Sequence, residues 1–336
     1  MNIILYFFIP FFASLLLTPL VRRIAGQWQV YAHVNGRSIH NHLTPKWGGG
    51  AIYLSFLLGS FILYLLSVDI LDYHTRAIVV LFFSSAAVFV LGAFDDKMDL
   101  GCNLKLAVEL IAAVAFSIWG WRIEVIVLPG FEAIPLGWFS YPLTILWLVG
   151  VTNAINLIDG LDGLASGIII VGSLLNMAIA ALFGNVVVVW LSLGLVAAVA
   201  GFLKYNLAPA SIFMGDSGSL SLGFIFASLC LGASTVHPGQ IAIIVPIVLM
   251  ALPLADTIWA IVRRVRKGIH PFHADKLHIH HRLVNLGFSQ GGAALIMVCI
   301  SFVMGLIAFI FANNIHAEVT LLDLLQKELA QKMSTF

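Results

Sequence analysis

The stretch from Arg76 to Asp96 reads RAIVVLFFSSAAVFVLGAFDD. Residues 76–94 are long and oily enough to cross a hydrocarbon core, which takes about 20 apolar residues in a helix. Two adjacent aspartates then stop the run. The same alternation, an apolar run closed by a polar cluster, recurs along the chain and sets its class. Reading outward gives ten candidate spans: 3–21, 47–67, 76–94, 104–121, 139–155, 164–183, 186–203, 212–233, 240–262 and 292–312. The segment from Ile123 to Gly137 alternates and contains Pro129-Gly130, which predicts a short β-hairpin. Residues 318–336 hold five charged side chains, too many for a crossing, and suit an amphipathic surface helix.

Composition agrees. Apolar residues make up 61% and charged residues 10% of the 336, against about 45–50% and 25% in soluble domains. The expected fold is an all-α integral membrane protein of ten or eleven transmembrane helices, with a short external β-hairpin and a cytoplasmic-face active site. Residues 1–312 are expected to form one polytopic transmembrane domain, which carries the site, and 313–336 an amphipathic tail. The net charge of +1 and the absence of a basic, aromatic-interleaved tract give no hint of a nucleic-acid partner, and none is expected. Cys102, Cys230 and Cys299 have neither disulfide nor metal-cluster spacing. The first apolar stretch lacks a basic start and a small-residue cleavage site, and reads as a retained span.

Orientation follows lysine and arginine. With residues 22–46 in the cytoplasm, 13 of the 17 basic residues fall on that side, among them Arg37 and Lys276. Four polar clusters share this face: Asp95-Asp96, the run 153–163, the run 213–219 and the run 278–282. Ionisable groups are expensive in a membrane, so their convergence predicts a site.

Each cluster has its own chemistry. Asp95-Asp96 sits at a helix C-terminus, where acids oppose the macrodipole and repel each other, so a nearby cation would ease the strain. Asn153, Asn156, Asp159 and Asp162 recur every third residue; if the helix continues, neighbouring pairs share a face. Their oxygens are the hard donors that Mg²⁺ takes. Asp216 opens a span, where it is either a capping acid or a carboxylate at a phosphate-binding helix N-terminus. The run His278-Ile-His280-His281-Arg282 exceeds any topology requirement. It offers hydrogen-bond donors to phosphate oxygens, and the chain lacks cysteines to complete a zinc site. Glu109 and Asp256 lie inside spans and read as register-fixing pairs rather than proton relays.

Five motifs occur in order: Thr44-Pro45-Lys46-x-Gly48-Gly49, Asp95-Asp96, the Asn153 to Leu164 run, Gly215-Asp216-Ser-Gly-Ser and the histidine run. From about Arg37 to Arg282 the chain resembles the polyprenyl-phosphate N-acetylhexosamine-1-phosphate transferases. The His-x-His-His-Arg run is similar to the branch that uses UDP-N-acetylglucosamine. The resemblance implies a bacterial inner-membrane enzyme transferring N-acetylglucosamine-1-phosphate to undecaprenyl phosphate, with UMP released, to start a cell-envelope polymer such as O-antigen or teichoic acid.

It also implies roles. Mg²⁺, replaceable by Mn²⁺, would sit at Asp216 and Asn156. Asp95, Asp96, Asp159, His280 and His281 would be catalytic. Asn206, Phe213, Asp162 and Lys46 would bind the nucleotide, and Lys105, Arg282, His278 and Asn153 the phosphates. The partners implied are the nucleotide sugar, the lipid phosphate and the membrane, with a homodimer left open. A phospho-N-acetylmuramoyl-pentapeptide transferase and a cation transporter are the alternatives.

Overall fold

The computed structural model of the chain describes residues 3–32, 43–66, 75–268 and 277–334. Arg37 and Lys276 of the basic tally lie outside them. Seven helices lead to the central one: α1 (Ile3–Gln27), α2 (Gly48–Leu66), α3 (Thr75–Met98), α4 (Cys102–Trp119), α5 (Ser140–Ile158), α6 (Leu164–Leu182) and α7 (Val186–Asn206). Helix α8 (Gly215–Ala233) follows, then α9 (Ile244–Leu249), α10 (Ala251–Arg266), α11 (Ile279–Asn285) and α12 (Gln290–Ser334). Among the described residues, nine helices are long and apolar enough to cross a membrane.

Helix α8 is the axis of the bundle. Every residue from Ser217 to Ala233 is buried. Its neighbours reach it through glycines, because small residues let backbones approach where lipid gives no hydrophobic drive for association. A side chain at Gly49 of α2 would stand 2.6 Å from the Ser217 carbonyl carbon, and one at Gly92 of α3 2.6 Å from the Ser217 nitrogen. At Gly223 of α8 itself, a side chain would meet Thr152 Cα of α5 at 2.8 Å. Three helices thus close on the first half of α8, which is where the polar clusters lie.

The span expected over 240–262 is not one helix. It divides at Met250 into α9 and α10. Pro253 has no N–H to offer the Leu249 carbonyl, so the ladder breaks there. The expected hairpin forms, with β1 (Val125–Ile126) antiparallel to β2 (Ile134–Pro135). A second hairpin, unforeseen, joins it: β3 (Thr235–His237) and β4 (Gln240–Ile241) complete a sheet of order β2-β1-β4-β3. This sheet lies at the end of the bundle opposite the polar clusters. Helix α12 runs unbroken for 45 residues, so no break marks the boundary expected at 313. At 1.5 Å per residue it extends about 67 Å, roughly twice a hydrocarbon core. Glu318 accepts the Gly130 N–H of the first hairpin at 3.2 Å.

Candidate active site

Asp95 and Asp96 close α3, and both are buried. Asp96 is turned towards the N-terminus of α8. Its Oδ1 accepts the Asp216 N–H at 2.9 Å and its Oδ2 the Ser217 N–H at 3.1 Å. These amides have no intrahelical partner, and the positive end of the α8 dipole favours an anion. Gly215 makes this approach possible: at φ +73°, a side chain there would stand 2.7 Å from Asp96 Oδ1. Lys46 Nζ lies 3.6 Å from the same oxygen. Asp95 accepts the Leu100 N–H at 2.7 Å and the Lys105 ammonium at 2.8 Å. Lys105 also reaches Asp216 Oδ2 at 3.2 Å. The strain expected of paired acids at a helix end is therefore met by two lysines and a second helix terminus.

The three-residue spacing of the second cluster does not hold its members on one helix. Helix α5 ends at Ile158, so Asp159 and Asp162 lie in the turn beyond it, and Gly163 takes φ +73° to start α6. The two asparagines part as well. Asn156 donates from Nδ2 to Asp216 Oδ1 at 3.0 Å and to Ser219 Oγ at 2.8 Å. Asn153 donates to Glu109 of α4 and to the Val149 carbonyl. Asn153, expected at the phosphates, is thus paired with Glu109 between α4 and α5.

A cavity of about 250 Å³ opens beside Asp216. Lys46, Asp162, Asn206 and Phe213 line it together with Asp159 and Asp216. Backbone pairing brings these distant segments together: Phe213 N–H to the Pro45 carbonyl at 2.9 Å, and Gly48 and Gly49 N–H to the Phe213 and Met214 carbonyls at 3.0 and 2.9 Å. Asn206 is fixed by Ser166, which donates to its Oδ1 at 2.9 Å, while its Nδ2 reaches the Ile212 carbonyl at 3.3 Å. Asp162 accepts the Ala210 N–H at 2.9 Å. Burial first, and then the charges of Asp216, Asp96 and Asp162, together raise the Asp159 carboxyl to about 7 against the pull of Lys46.

The histidine run caps this arrangement from α11. His280 is buried against Gly160, where a side chain would stand 2.8 Å from its Cε1. Burial lowers its pKa to about 4, with His281 and His278 adding repulsion and Asp256 opposing. At neutral pH it is an uncharged donor or acceptor. Its Nδ1 has no hydrogen-bond partner among the described residues. His281 is half-buried beside it, with ring centroids 4.2 Å apart, and Arg282 is exposed. His278 points elsewhere. Its Nδ1, on a residue expected at the phosphates, meets Asp256 Oδ2 at 2.8 Å.

The model of the glycosyl transferase family 4 matches residues 78–234. A probable undecaprenyl-phosphate N-acetylglucosaminyl 1-phosphate transferase of Bacillus subtilis (strain 168) is 37% identical over 93% of this chain and 86% of its own length. The chain belongs to this family. Within it, the relatives place the chain in the bacterial polyprenyl-phosphate N-acetylglucosamine-1-phosphate transferase branch. A decaprenyl-phosphate N-acetylglucosaminephosphotransferase of Mycobacterium leprae (strain TN) is 33% identical, over 89% of this chain and 80% of its own. The undecaprenyl-phosphate alpha-N-acetylglucosaminyl 1-phosphate transferase of Escherichia coli (strain K12) is 27% identical, over 80% and 73%.

Among the described residues no three acidic, histidine or cysteine side chains converge to cage a metal ion. The site offers Asp216, with Asp95 across the Lys105 ammonium, and an asparagine on its other oxygen. That open set fits Mg²⁺, which is commonly held by one or two carboxylates with substrate phosphates completing its shell. Lys105 and the Asn156 amide nitrogen now cover the Asp216 oxygens, so a cation there displaces one of them. Ser166 and the Ala210 amide, which hold the cavity residues, and Ser219, beneath Asn156, carry no signal in the sequence. Serine and backbone groups carry no distinctive spacing, and only the packing shows what they serve.

Proposed function

We propose that the protein transfers N-acetylglucosamine-1-phosphate from UDP-N-acetylglucosamine to undecaprenyl phosphate at the cytoplasmic face of a bacterial inner membrane, releasing UMP. The observation that carries this is the gathering of charged groups at one end of the membrane bundle. There Lys46 and Lys105 stand among Asp95, Asp96, Asp159 and Asp216, beside a cavity lined by Phe213 and Asn206. Phosphoryl transfer needs little covalent help from a protein. It needs positioning and neutralisation of charge.

The acceptor phosphate oxygen bonds to the β-phosphorus. The bond from that phosphorus to the oxygen bridging to the α-phosphate breaks, and its electron pair leaves on UMP. A phosphate monoester has a second pKa near ~6, so the lipid phosphate is mostly a dianion at neutral pH and little base is required. Asp96, with both oxygens on backbone amides, anchors the start of α8 instead of taking a proton. Asp95 holds Lys105. The two lysines neutralise incoming phosphate oxygens, which compete with Asp95, Asp96 and Asp216 for them and so free Asp216. His280 and His281, above the Asp159 turn, and the exposed Arg282 donate to phosphate oxygens. Phe213 offers a ring face to the base. Asp216 and Asn156 would hold Mg²⁺, which would supply Lewis-acid stabilisation of the charge that develops on the departing UMP.

The test uses purified protein with undecaprenyl phosphate, UDP-N-acetylglucosamine and Mg²⁺, with the released nucleotide identified. UMP formed only with lipid and Mg²⁺ present is expected, and Asp216→Asn should abolish it. UDP as the product would mean ordinary glycosyl transfer and overturn the reading.

A further inference from the structure

Asp256 lies inside α10, away from the cavity, and is 4% exposed. A carboxylate buried so fully is costly unless its oxygens are matched by donors. Both are. Oδ2 meets His278 Nδ1 at 2.8 Å, and Oδ1 accepts the Ile279 N–H at 3.0 Å. Ile279 is the first residue of α11, whose N-cap, His278, supplies no capping side-chain bond of its own. Asp256 therefore provides from another helix the cap that α11 lacks. On the far side of the imidazole, Arg264 Nη2 lies 3.5 Å from His278 Nε2. A guanidinium can only donate. This contact favours Nε2 as the acceptor, with Nδ1 carrying the hydrogen that goes to Asp256.

The consequences reach the site through the next turn. The His278 and His280 rings lie parallel within 7°, with centroids 5.7 Å apart. His280 in turn rests on Gly160, next to Asp159. We infer that Asp256 is a positioning residue: it fixes the tautomer of His278, starts α11, and so sets His280 and His281 over the Asp159–Gly160 turn. It touches neither the cavity nor the reacting atoms. The α10 carboxylate is thus joined to the catalytic end of the molecule by Arg264→His278→Asp256 hydrogen bonds and ring stacking. The activity part of the test rests on the proposed transfer; the tautomer part does not.

The experiment reads the ring ¹⁵N signals of His278 in histidine-labelled protein reconstituted in bilayers, assigned by their loss in His278→Gln. The wild-type ring should carry hydrogen on Nδ1 and leave Nε2 bare. A wild-type Nε2–H tautomer overturns the proposal without reference to activity. Asp256→Asn should move the Nδ1 signal, while Asp256→Glu, which keeps the charge, should move it less. Unchanged signals in Asp256→Asn would show that the carboxylate is not the partner. In UMP release, Asp256→Asn should lower kcat/KM by ~10–100-fold, the scale of an ångström-sized displacement. Combined with His278→Gln it should lose no more than the worse single variant. Losses that multiply would overturn the linkage. If wild-type protein forms no UMP while its His278 shows the Nδ1–H tautomer, the proposed function fails and the positioning geometry stands.

Discussion

A methyl group at position 160 would stand 2.8 Å from His280 Cε1 and 3.1 Å from Cδ2, and closer still to Nε2. Ordinary carbon contacts begin near ~3.5 Å, so Gly160→Ala drives the ring back by about 1 Å. The ring has little room to yield. His280 is 1% exposed and lies between the His278 and His281 rings. The backbone at 160 is not among the left-handed glycines, so alanine adds no conformational strain there. Overpacking of this size costs about 1–3 kcal/mol of stability, which lowers Tm by only a few degrees in a chain of this length. The effect on turnover should be larger. A misplacement of about 1 Å in a positioned group costs on the order of 10²-fold in rate, or about 2.7 kcal/mol at 1.36 kcal/mol per decade. The assay is UMP release under saturating lipid, with Tm measured in parallel. The variant should melt within a few degrees of wild type and lose ~100-fold in kcat/KM. Wild-type kcat/KM in a folded Gly160→Ala protein would refute the placement of His280 over the Asp159 turn.

Three further outcomes follow from the same geometry. Asp96→Asn keeps one oxygen for two backbone donors and loses the charge facing the α8 N-terminus, so thermal unfolding should show about 1–2 kcal/mol less stability; an unchanged Tm would remove Asp96 as the cap. Asp159 has its folded pKa raised to about 7 from an unfolded value near ~3.9, so between those pH values the folded state keeps a proton that the unfolded chain has lost. Stability then falls as pH rises through that window. The Tm of Asp159→Asn should exceed that of wild type by a gap that widens from pH 4 to pH 7, and parallel Tm–pH curves would contradict the shift. Mg²⁺ at 100 times its Kd should stabilise wild type by about 2.7 kcal/mol. Asp216→Asn should lose that gain and Lys105→Ala keep it, since the ammonium no longer competes; a full Mg²⁺ gain in Asp216→Asn would exclude Asp216 as the ligand.

Much of the bundle was legible because hydrocarbon imposes a simple rule on sequence: a crossing needs a long apolar run, and charge must stay at its ends. The first hairpin announced itself through alternation and Pro129-Gly130. The second did not, since Thr235–His237 and Gln240–Ile241 are too short to show a period. The division at Met250 was equally hidden, because Pro253 in an apolar run reads as a kink or a break with equal ease.

Local composition was enough for the class, nine of the ten expected spans and the set of polar groups gathered at one face. Those depend on local composition and on parity of crossings, both properties of a string. Only the tertiary structure decided which of those groups act together. Asn153 and Asn156 have the same type and a spacing that suggests one face, yet three residues at about 100° each leave a rotation of roughly 60° between them. That angle sends Asn156 to Asp216 and Asn153 to Glu109. Asp96 likewise caps a helix that begins 119 residues later, at Gly215, and Asp256 caps one that begins 23 residues later, at Ile279. A carboxylate's partner is set by what packing brings within about 3 Å, and sequence separation carries no trace of it.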